Sequence, residues 1–571
     1  MYPTSKRGAE IVVNVLKQKN VSHVFGYSGG AILPVLNEFY NSNIRFIMNR
    51  TEQCAGHAAQ GFAKASGKMG VVITTSGPGL TNISTAALDA KNDNVPMLIL
   101  SGQVPTTALG TKAFQEADYR ILKEVTKEQY QITDSNEIEV IMNKAIEKAN
   151  EGKKGPVHVD LPKDIMMKDV IEEEQYIYTA NKNIKKDIDK DNLDKVINLI
   201  HNSKKPIVIA GHGTVDCHYT VREFIHRSKI PITTTIHAVG VFNENHYLSL
   251  HMLGMHGSAY ANIAVQEADL ILAVGSRFCD RTTGNLNGFA PNAKNIVHFN
   301  IDDVEFDRVV KSDYHIKGDC YDSLEYLCDK VDIDINRDKW HKRIKELKNR
   351  FPFTYKLNNP EQLKTQNVIK IISNKTQHLK NLIITTGVGN HQMMACQFYR
   401  WQYPRSLLTS GSLGTMGVGI PYAIGAQIAK PKSRVFVIDG DGSFNMTSTD
   451  LGTIAELHLP IKIFIMNDGR QQMVHTWQKL FFNERFIATT NKNPDYVKLA
   501  ESYGIKAFKI TNIYEMNKAI SLAINDVDNP ILFDCRVQPD ICLPLVAPGK
   551  NLDDMILNDD QKIILDGLAP N

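Results

Sequence analysis

Residues 434–446, RVFVIDGDGSFNM, carry an apolar run that ends abruptly in Asp439-Gly440-Asp441-Gly442-Ser443. A second apolar run, IKIFIMNDG over 461–469, also ends in polar, ligand-type residues, and its Asp468 falls 27 residues after Asp441. That interval has room for one helix and a return strand. Two adjacent parallel strands would then set the two carboxylates side by side. Hard oxygen donors beside glycine turns and a helix start suit Mg²⁺ bound to a diphosphate. Two other readings compete. Asp439-x-Asp441-x-Ser443 opens like a calcium-binding EF-hand loop, but that loop needs glycine at position six and glutamate at position twelve, between two helices. Here those positions are Phe444 and Asp450, and a strand precedes them. The plainer alternative is a strand-to-helix turn with an aspartate cap.

The elements that must position these residues alternate along the chain. GAEIVVNVLKQKN, AILPVLNEFY and TEQCAGHAAQGFAKASG read as helices; HVFGY, IRFIMNR, GVVITTSGPG and VPMLILSGQ read as strands. Strand and helix in alternation predict a parallel sheet covered on both faces. A first block spans 1–165 and closes with GPVHVDLPKD; a charged stretch over 166–189 reads as a linker. A second α/β block follows over 190–350, a third over 360–545, and a tail over 546–571. The expected fold is thus α/β, with three doubly wound parallel-sheet domains. Ligands in such sheets sit at the carboxyl ends of strands. The third block offers four such ends in close succession.

Bulk properties exclude little but agree. With 571 residues and ~150 per domain, three or four domains are expected. Sixty-five basic against 62 acidic residues give a net charge of +3, so nothing in the charge points to nucleic acid or an acidic membrane surface. Eight scattered cysteines form no CxxC pair, which argues against a zinc site or disulfide framework and for a cytoplasmic, reducing compartment. No signal-like, transit-like or membrane-spanning run is expected, because a helical pattern starts almost at the N-terminus.

The GDG motif followed by a polar strand end resembles the thiamine diphosphate enzymes. The blocks FGYSGGAILPV, TSGPGLTN, GQVPT, FQEAD, VDLPKD, LGMHG, RFCDRTTG, TTGVGNHQM, LGTMGVG, GDGSFNMT, MVHTWQ and VAPGKNLDDMI, in that order, resemble the catalytic large subunits of the acetohydroxyacid synthase (acetolactate synthase) family over nearly the whole chain. The resemblance implies a pyrimidine-binding first domain, a central FAD domain and a diphosphate- and Mg²⁺-binding third domain. Pyruvate would be decarboxylated on thiamine diphosphate and its two-carbon unit joined to a second 2-oxo acid. The products would be 2-acetolactate or 2-aceto-2-hydroxybutyrate, for branched-chain amino acid biosynthesis.

Residue by residue, the resemblance assigns Glu52 to the cofactor's pyrimidine ring, a task that needs a dry site and a near-neutral pKa. On its own, Glu52 reads more readily as a first-turn glutamate complementing a helix dipole. Tyr27, Gly29 and Gly30 fall in the first glycine loop, and Phe114 and Gln115 match positions near the reacting carbon. Gly387, Val388, Gly389, Asn390 and His391 match the loop that meets the diphosphate. Gly414 would accept from the cofactor's amino group through its backbone, and Met416 would prop the cofactor's bent shape; a core methionine filling space would look the same. Gly440, Gly442, Ser443, Met473 and Val474 complete the cofactor set. Asp441, Asp468 and the carbonyl of Arg470 would hold the metal. Arg281 matches a carboxylate-recognising arginine, or else pairs with Asp280 on the surface. Trp477 matches an aromatic that favours 2-oxobutyrate over pyruvate, or else is a core tryptophan. Lys153, His256, Gly257, Arg277, Asn300 and Asp319 match FAD-binding positions. Asp439 is left to a turn or a supporting contact.

Several positions depart from the family pattern. Asp468 stands for asparagine, which adds negative charge beside a diphosphate. Gly469, Arg470 and Gln472 stand for two acidic residues and a glycine, Thr51 for histidine, Ser28 for proline, and Lys153 for arginine. The resemblance also implies a homodimer or homotetramer, with a possible regulatory small subunit. Two other functions compete: a different thiamine diphosphate enzyme, such as a flavin-dependent pyruvate oxidase or 2-oxo acid decarboxylase, and an inactive cofactor-binding homologue.

Overall fold

A computed structural model describes residues 5–171, 188–331 and 335–558. Three six-stranded, wholly parallel sheets dominate it. Their strands read as continuous apolar runs because helices cover both faces. Val435, Phe436, Val437 and Ile438, for example, have no solvent exposure.

Counted along the chain within each sheet, the first and third sheets share the spatial order 2-1-3-4-6-5, whereas the central sheet runs 3-2-1-4-5-6. The central order is the one that dinucleotide-binding folds use, with the ligand in the crevice where the order reverses. In the third sheet, strand Arg434–Gly440 lies beside Lys462–Asn467 with Gly440 opposite Met466. That register brings Asp441 and Asp468 to adjacent strand ends.

The first and third domains share one core, in which Phe25 and Ile99 join Val437 and Ile463. Helix Glu52–Ser66 lies on helix Gly419–Ala429, and small residues permit the close approach. A Cβ at Gly61 would fall 2.3 Å from the Tyr422 carbonyl oxygen, and one at Gly425 would fall 1.9 Å from that of Ala58. Any larger residue at either position forces the helices apart.

Two boundaries differ from the sequence expectation. Strand Asp169–Ile171 pairs antiparallel with Ser5–Arg7, so the linker expected over 166–189 begins inside the first domain's structure. Most of that linker, 172–187, lies outside the described residues. The tail expected over 546–571 is packed as far as it is described. Leu545–Val546 pairs with Met555–Ile556, and Val546, Leu552, Met555 and Leu557 bury against Trp340 and Ile344 of the central domain. Apolar residues at those spacings have a face to bury, and the central domain supplies it.

Among the described residues, no helix is long and apolar enough to cross a membrane.

Candidate active site

Asp441 is the first residue of helix Asp441–Thr447 and is 2% exposed. Its Oδ2 accepts hydrogen bonds from Asn493 Nδ2 at 2.5 Å and Asn491 Nδ2 at 3.3 Å. Asn493 also donates to Asn467 Oδ1 at 3.1 Å, tying the two strand ends together. Asp468 Oδ1 accepts from the Arg470 amide at 3.0 Å. Burial raises the Asp441 carboxyl above its ordinary value, against the pull of the two asparagines. Burial, then the Asp441 charge, pushes Asp468 up to about 7. Two desolvated carboxylates that repel each other are what a hard cation relieves. Among the described residues no three His, Cys, Asp or Glu side chains gather as a metal group. A metal held here therefore needs a backbone oxygen as well, as assigned to Arg470.

Asp439, left without a clear task by the sequence, is fully buried. Its Oδ1 accepts from the Gly440 amide at 2.9 Å and lies 3.3 Å from His391 Nε2. The carboxylate fills space that two glycines leave: a Cβ at Gly387 would fall 2.0 Å from Oδ1, and one at Gly419 would fall 2.5 Å from Oδ2. Gly440 and Gly442 leave room for neighbouring side chains in the same way. A Cβ at Gly440 would meet His391 Nδ1 at 2.7 Å, and one at Gly442 would meet the Gln471 amide at 2.4 Å. Ser443 Oγ accepts from the Gly417 amide at 2.9 Å, and Thr447 Oγ1 donates to the Gly417 carbonyl at 2.7 Å. These bonds tie the helix start to the loop carrying Gly414 and Met416. Gly414 has φ +74° and open space around its missing Cβ, with only Val388 Cγ1 at 3.9 Å.

A cavity of about 1410 Å³ runs between all three domains. Val388, Gly389, Gly414, Met473, Val474 and Trp477 line it from the third domain, and Arg281 from the central domain. Helix Gln472–Phe481 turns one face to the cavity, since positions 473, 474, 477 and 478 are neighbours at helical spacing. Trp477 is thus no core tryptophan; it packs edge-on against Phe481, ring centroids 5.4 Å apart. Arg281 stays half-exposed, 3.6 Å from Asp280, and donates to Met255 Sδ at 3.3 Å.

Lys153, His256, Arg277, Asn300 and Asp319 line the rest of the cavity. Burial, then the Arg281 charge, lowers His256 to about 4, so its ring is neutral, and its Nδ1 has no hydrogen-bond partner. Lys153 is ion-paired with Glu305 and lies 3.7 Å from Asp302, so its charge is already engaged. Gly257 does not line the cavity: a Cβ there would fall 2.5 Å from the Met252 carbonyl oxygen, so it serves a tight turn.

The first-domain set forms a separate group. Glu52 Oε2 accepts from Asn82 Nδ2 at 3.0 Å, and its Oε1 would be 3.5 Å from a Cβ at Gly79. Gly77 closes on the Gln115 backbone, and Gln115 itself has φ +63°. Gly29 packs on Thr75, while Gly30 faces open space. Phe114 is 88% exposed and Tyr27 is 38% exposed. None of these six expected residues lines the cavity. Nor do Met416, Asp441, Asp468 and Arg470, so the expected residues fall into groups at the strand ends of the two sheets of like order and along the cavity.

Sequence reading missed Asn491 and Asn493, which orient Asp441. The only trace in the sequence is the polar turn NKNP.

The chain was compared with known proteins. Residues 6–121, 193–327 and 387–535 match the N-terminal TPP binding domain, the central domain and the C-terminal TPP binding domain of the thiamine pyrophosphate enzymes. The chain is 43% identical to the mitochondrial acetolactate synthase of Schizosaccharomyces pombe, over 97% of this chain and 87% of that protein. It is 40% identical to the mitochondrial acetolactate synthase catalytic subunit of Saccharomyces cerevisiae, over 96% and 83% of the two chains. A probable acetolactate synthase large subunit of Methanococcus aeolicus is 39% identical, over 96% and 95%. With three matched domains in order and relatives aligned along nearly its whole length, the chain belongs to the acetolactate synthase catalytic-subunit family of thiamine pyrophosphate enzymes.

Proposed function

We propose that this chain is an acetolactate synthase catalytic subunit that takes a two-carbon unit from pyruvate and joins it to pyruvate or 2-oxobutyrate. The observation that carries the reading is the meeting of Arg281 and Trp477 with Val388, Gly389 and Gly414 on one cavity. A guanidinium for a 2-oxo acid carboxylate, an aromatic wall for its side chain and an open loop for a cofactor thus line the same cavity.

Bound there, thiamine diphosphate would supply the carbon centre that carries the two-carbon unit. Asp441, Asp468 and the Arg470 carbonyl would hold Mg²⁺, and the diphosphate would meet the start of helix Asn390–Phe398. The Gly414 backbone and the Met416 side chain would orient the rings. Glu52 would hold a proton at the pyrimidine nitrogen, with Asn82 fixing its other oxygen. Arg281 would draw in the second acid, and Trp477 would exclude water beside it. FAD would lie along His256, Arg277, Asn300 and Asp319 as a structural partner. The neutral His256, whose Nδ1 has no hydrogen-bond partner, and the dinucleotide-type strand order support that placement.

Glu52, Phe114 and Gln115 stand apart from the cavity, and Phe114 is exposed. Both features support a site completed by a second copy of the chain, at least a homodimer. A regulatory subunit is compatible with the catalytic-subunit names of the relatives. Eight free thiols fit a reducing, cytoplasmic setting.

The test is incubation of the purified chain with pyruvate, Mg²⁺, thiamine diphosphate and FAD. The expected product is 2-acetolactate, with 2-aceto-2-hydroxybutyrate when 2-oxobutyrate is added. Acetaldehyde or acetate as the main product, or no product with cofactor bound, would overturn the reading.

A further inference from the structure

Residues 409–416 carry Gly414 and Met416, yet within the third domain this stretch adopts no helix and reaches no strand beyond Leu408. A loop that must hold a ligand needs its backbone fixed from outside. Gln392 of the third domain donates to Thr409 Oγ1 at 2.7 Å and to the Ser410 carbonyl at 2.8 Å, and the further fixing groups come from the first and central domains. Asp93, fully buried at the end of helix Ser84–Asn92, accepts from the Ser412 amide at 3.0 Å through Oδ1 and from the Gly411 amide at 3.4 Å through Oδ2. The same carboxylate accepts from Lys64 Nζ at 2.7 Å and from His237 Nε2 at 2.8 Å. Lys64 also donates to the Thr409 carbonyl at 2.6 Å. One helical turn earlier, Asp89 accepts from Ser410 Oγ at 2.5 Å and Thr415 Oγ1 at 3.3 Å.

Gly411 is adapted to this arrangement. A Cβ there would fall 2.5 Å from His237 Nε2, so only glycine lets the histidine reach Asp93. Lys64, Asp93 and His237 also form cavity wall beside Arg277, which donates to the Asn92 carbonyl at 3.1 Å. One buried carboxylate therefore touches both the flavin-side wall and the loop proposed to orient thiamine diphosphate.

We propose that Asp93, with Lys64 and His237, is a positioning residue that fixes 409–416 between the two ligand compartments, so that holding of thiamine diphosphate and of FAD is coupled through it. This rests on the functional reading above only for the identity of the ligands; the clamping of the loop stands on the hydrogen bonds alone. Asp93 touches neither reacting atom. It acts through the backbone it holds, and its charge is balanced by Lys64 rather than by substrate.

The test uses the full chain and two variants, Asp93→Asn and His237→Ala. The second removes one arm of the network from a partly exposed ring, and it carries the test should the first fail to fold. Amide hydrogen exchange is read at Gly411 and Ser412 without ligands, and Kd values are then measured separately for thiamine diphosphate with Mg²⁺ and for FAD. For Asp93→Asn, loss of a charged acceptor predicts exchange faster by about tenfold at both amides, and both Kd values raised by about tenfold. For His237→Ala the same changes are expected at roughly threefold. Unchanged exchange in a folded variant, or a shift in only one of the two Kd values, overturns the inference. A wild-type chain that binds neither ligand overturns the functional reading instead, and the exchange measurement still decides whether Asp93 clamps the loop.

Discussion

The first and third sheets run in the same strand order, yet their strand ends are built for opposite tasks. The third places two carboxylates at adjacent strand ends, one oriented by Asn491 and Asn493 and the other by the Arg470 amide, and burial raises both. The first places one glutamate at a helix start, a loop with an exposed phenylalanine, and an open glycine at position 30. On the function proposed above, one half awaits a cation and the other a covering surface. The same frame thus supports a holding half and an acting half, and the strand-end residues alone decide which is which.

Substitutions should separate the two halves. Asp441→Ala removes the proposed metal ligand of the holding half and should abolish Mg²⁺-dependent retention of thiamine diphosphate, seen by equilibrium dialysis; retained cofactor would break the division. Glu52→Gln strikes the acting half. It should lower kcat by about 10²–10⁴ while leaving the cofactor Kd within a few-fold, as loss of a positioned proton donor does. Trp477→Ala should cost about tenfold in preference for 2-oxobutyrate over pyruvate, measured by competition between the two acids. Asp468→Asn sharpens the account of the holding half. Removing one negative charge should weaken Mg²⁺ binding and relieve repulsion of the diphosphate, each by a few-fold in separate titrations.

The joint between the central and third domains gives the smallest effect. Burial pushes Glu244 up to about 8 from an ordinary 4.5, although the Trp401 amide donates to it. The folded chain then keeps a proton that the unfolded chain has lost, so stability falls as pH rises from about 4.5 to about 8 and levels off above. Glu244→Gln should flatten that slope, read as melting temperature at pH 5 and pH 8.

Much of this was legible in the sequence because it follows from local patterns. The helix read over residues 51–67 is Glu52–Ser66, and the apolar runs before Asp441 and Asp468 are adjacent parallel strands. What was illegible depends on distant packing. Asn493 reaches Asp441 across 52 positions, and no spacing rule links them. The glycines at 440 and 442 read from sequence as part of a cofactor site, and only the fold shows that they also leave room for His391 and Gln471. The chain beyond 545 reads as a tail, since its few apolar residues have no partner until the central domain is folded beside them. Asp93 follows an ordinary helix, Ser84–Asn92, and its importance appears only when 409–416 is laid across it.

The central claim is that a holding half from one chain and an acting half from another complete each acetolactate-forming site. Co-expression of Glu52→Gln chains with Asp441→Ala chains tests it most directly. Each variant alone should be nearly inactive. Random pairing makes half the dimers mixed, and each mixed dimer holds one intact site of two, so acetolactate formation should return to about a quarter of wild type. Mixed dimers, verified by differential tags, that form no more acetolactate than the separate variants would contradict it.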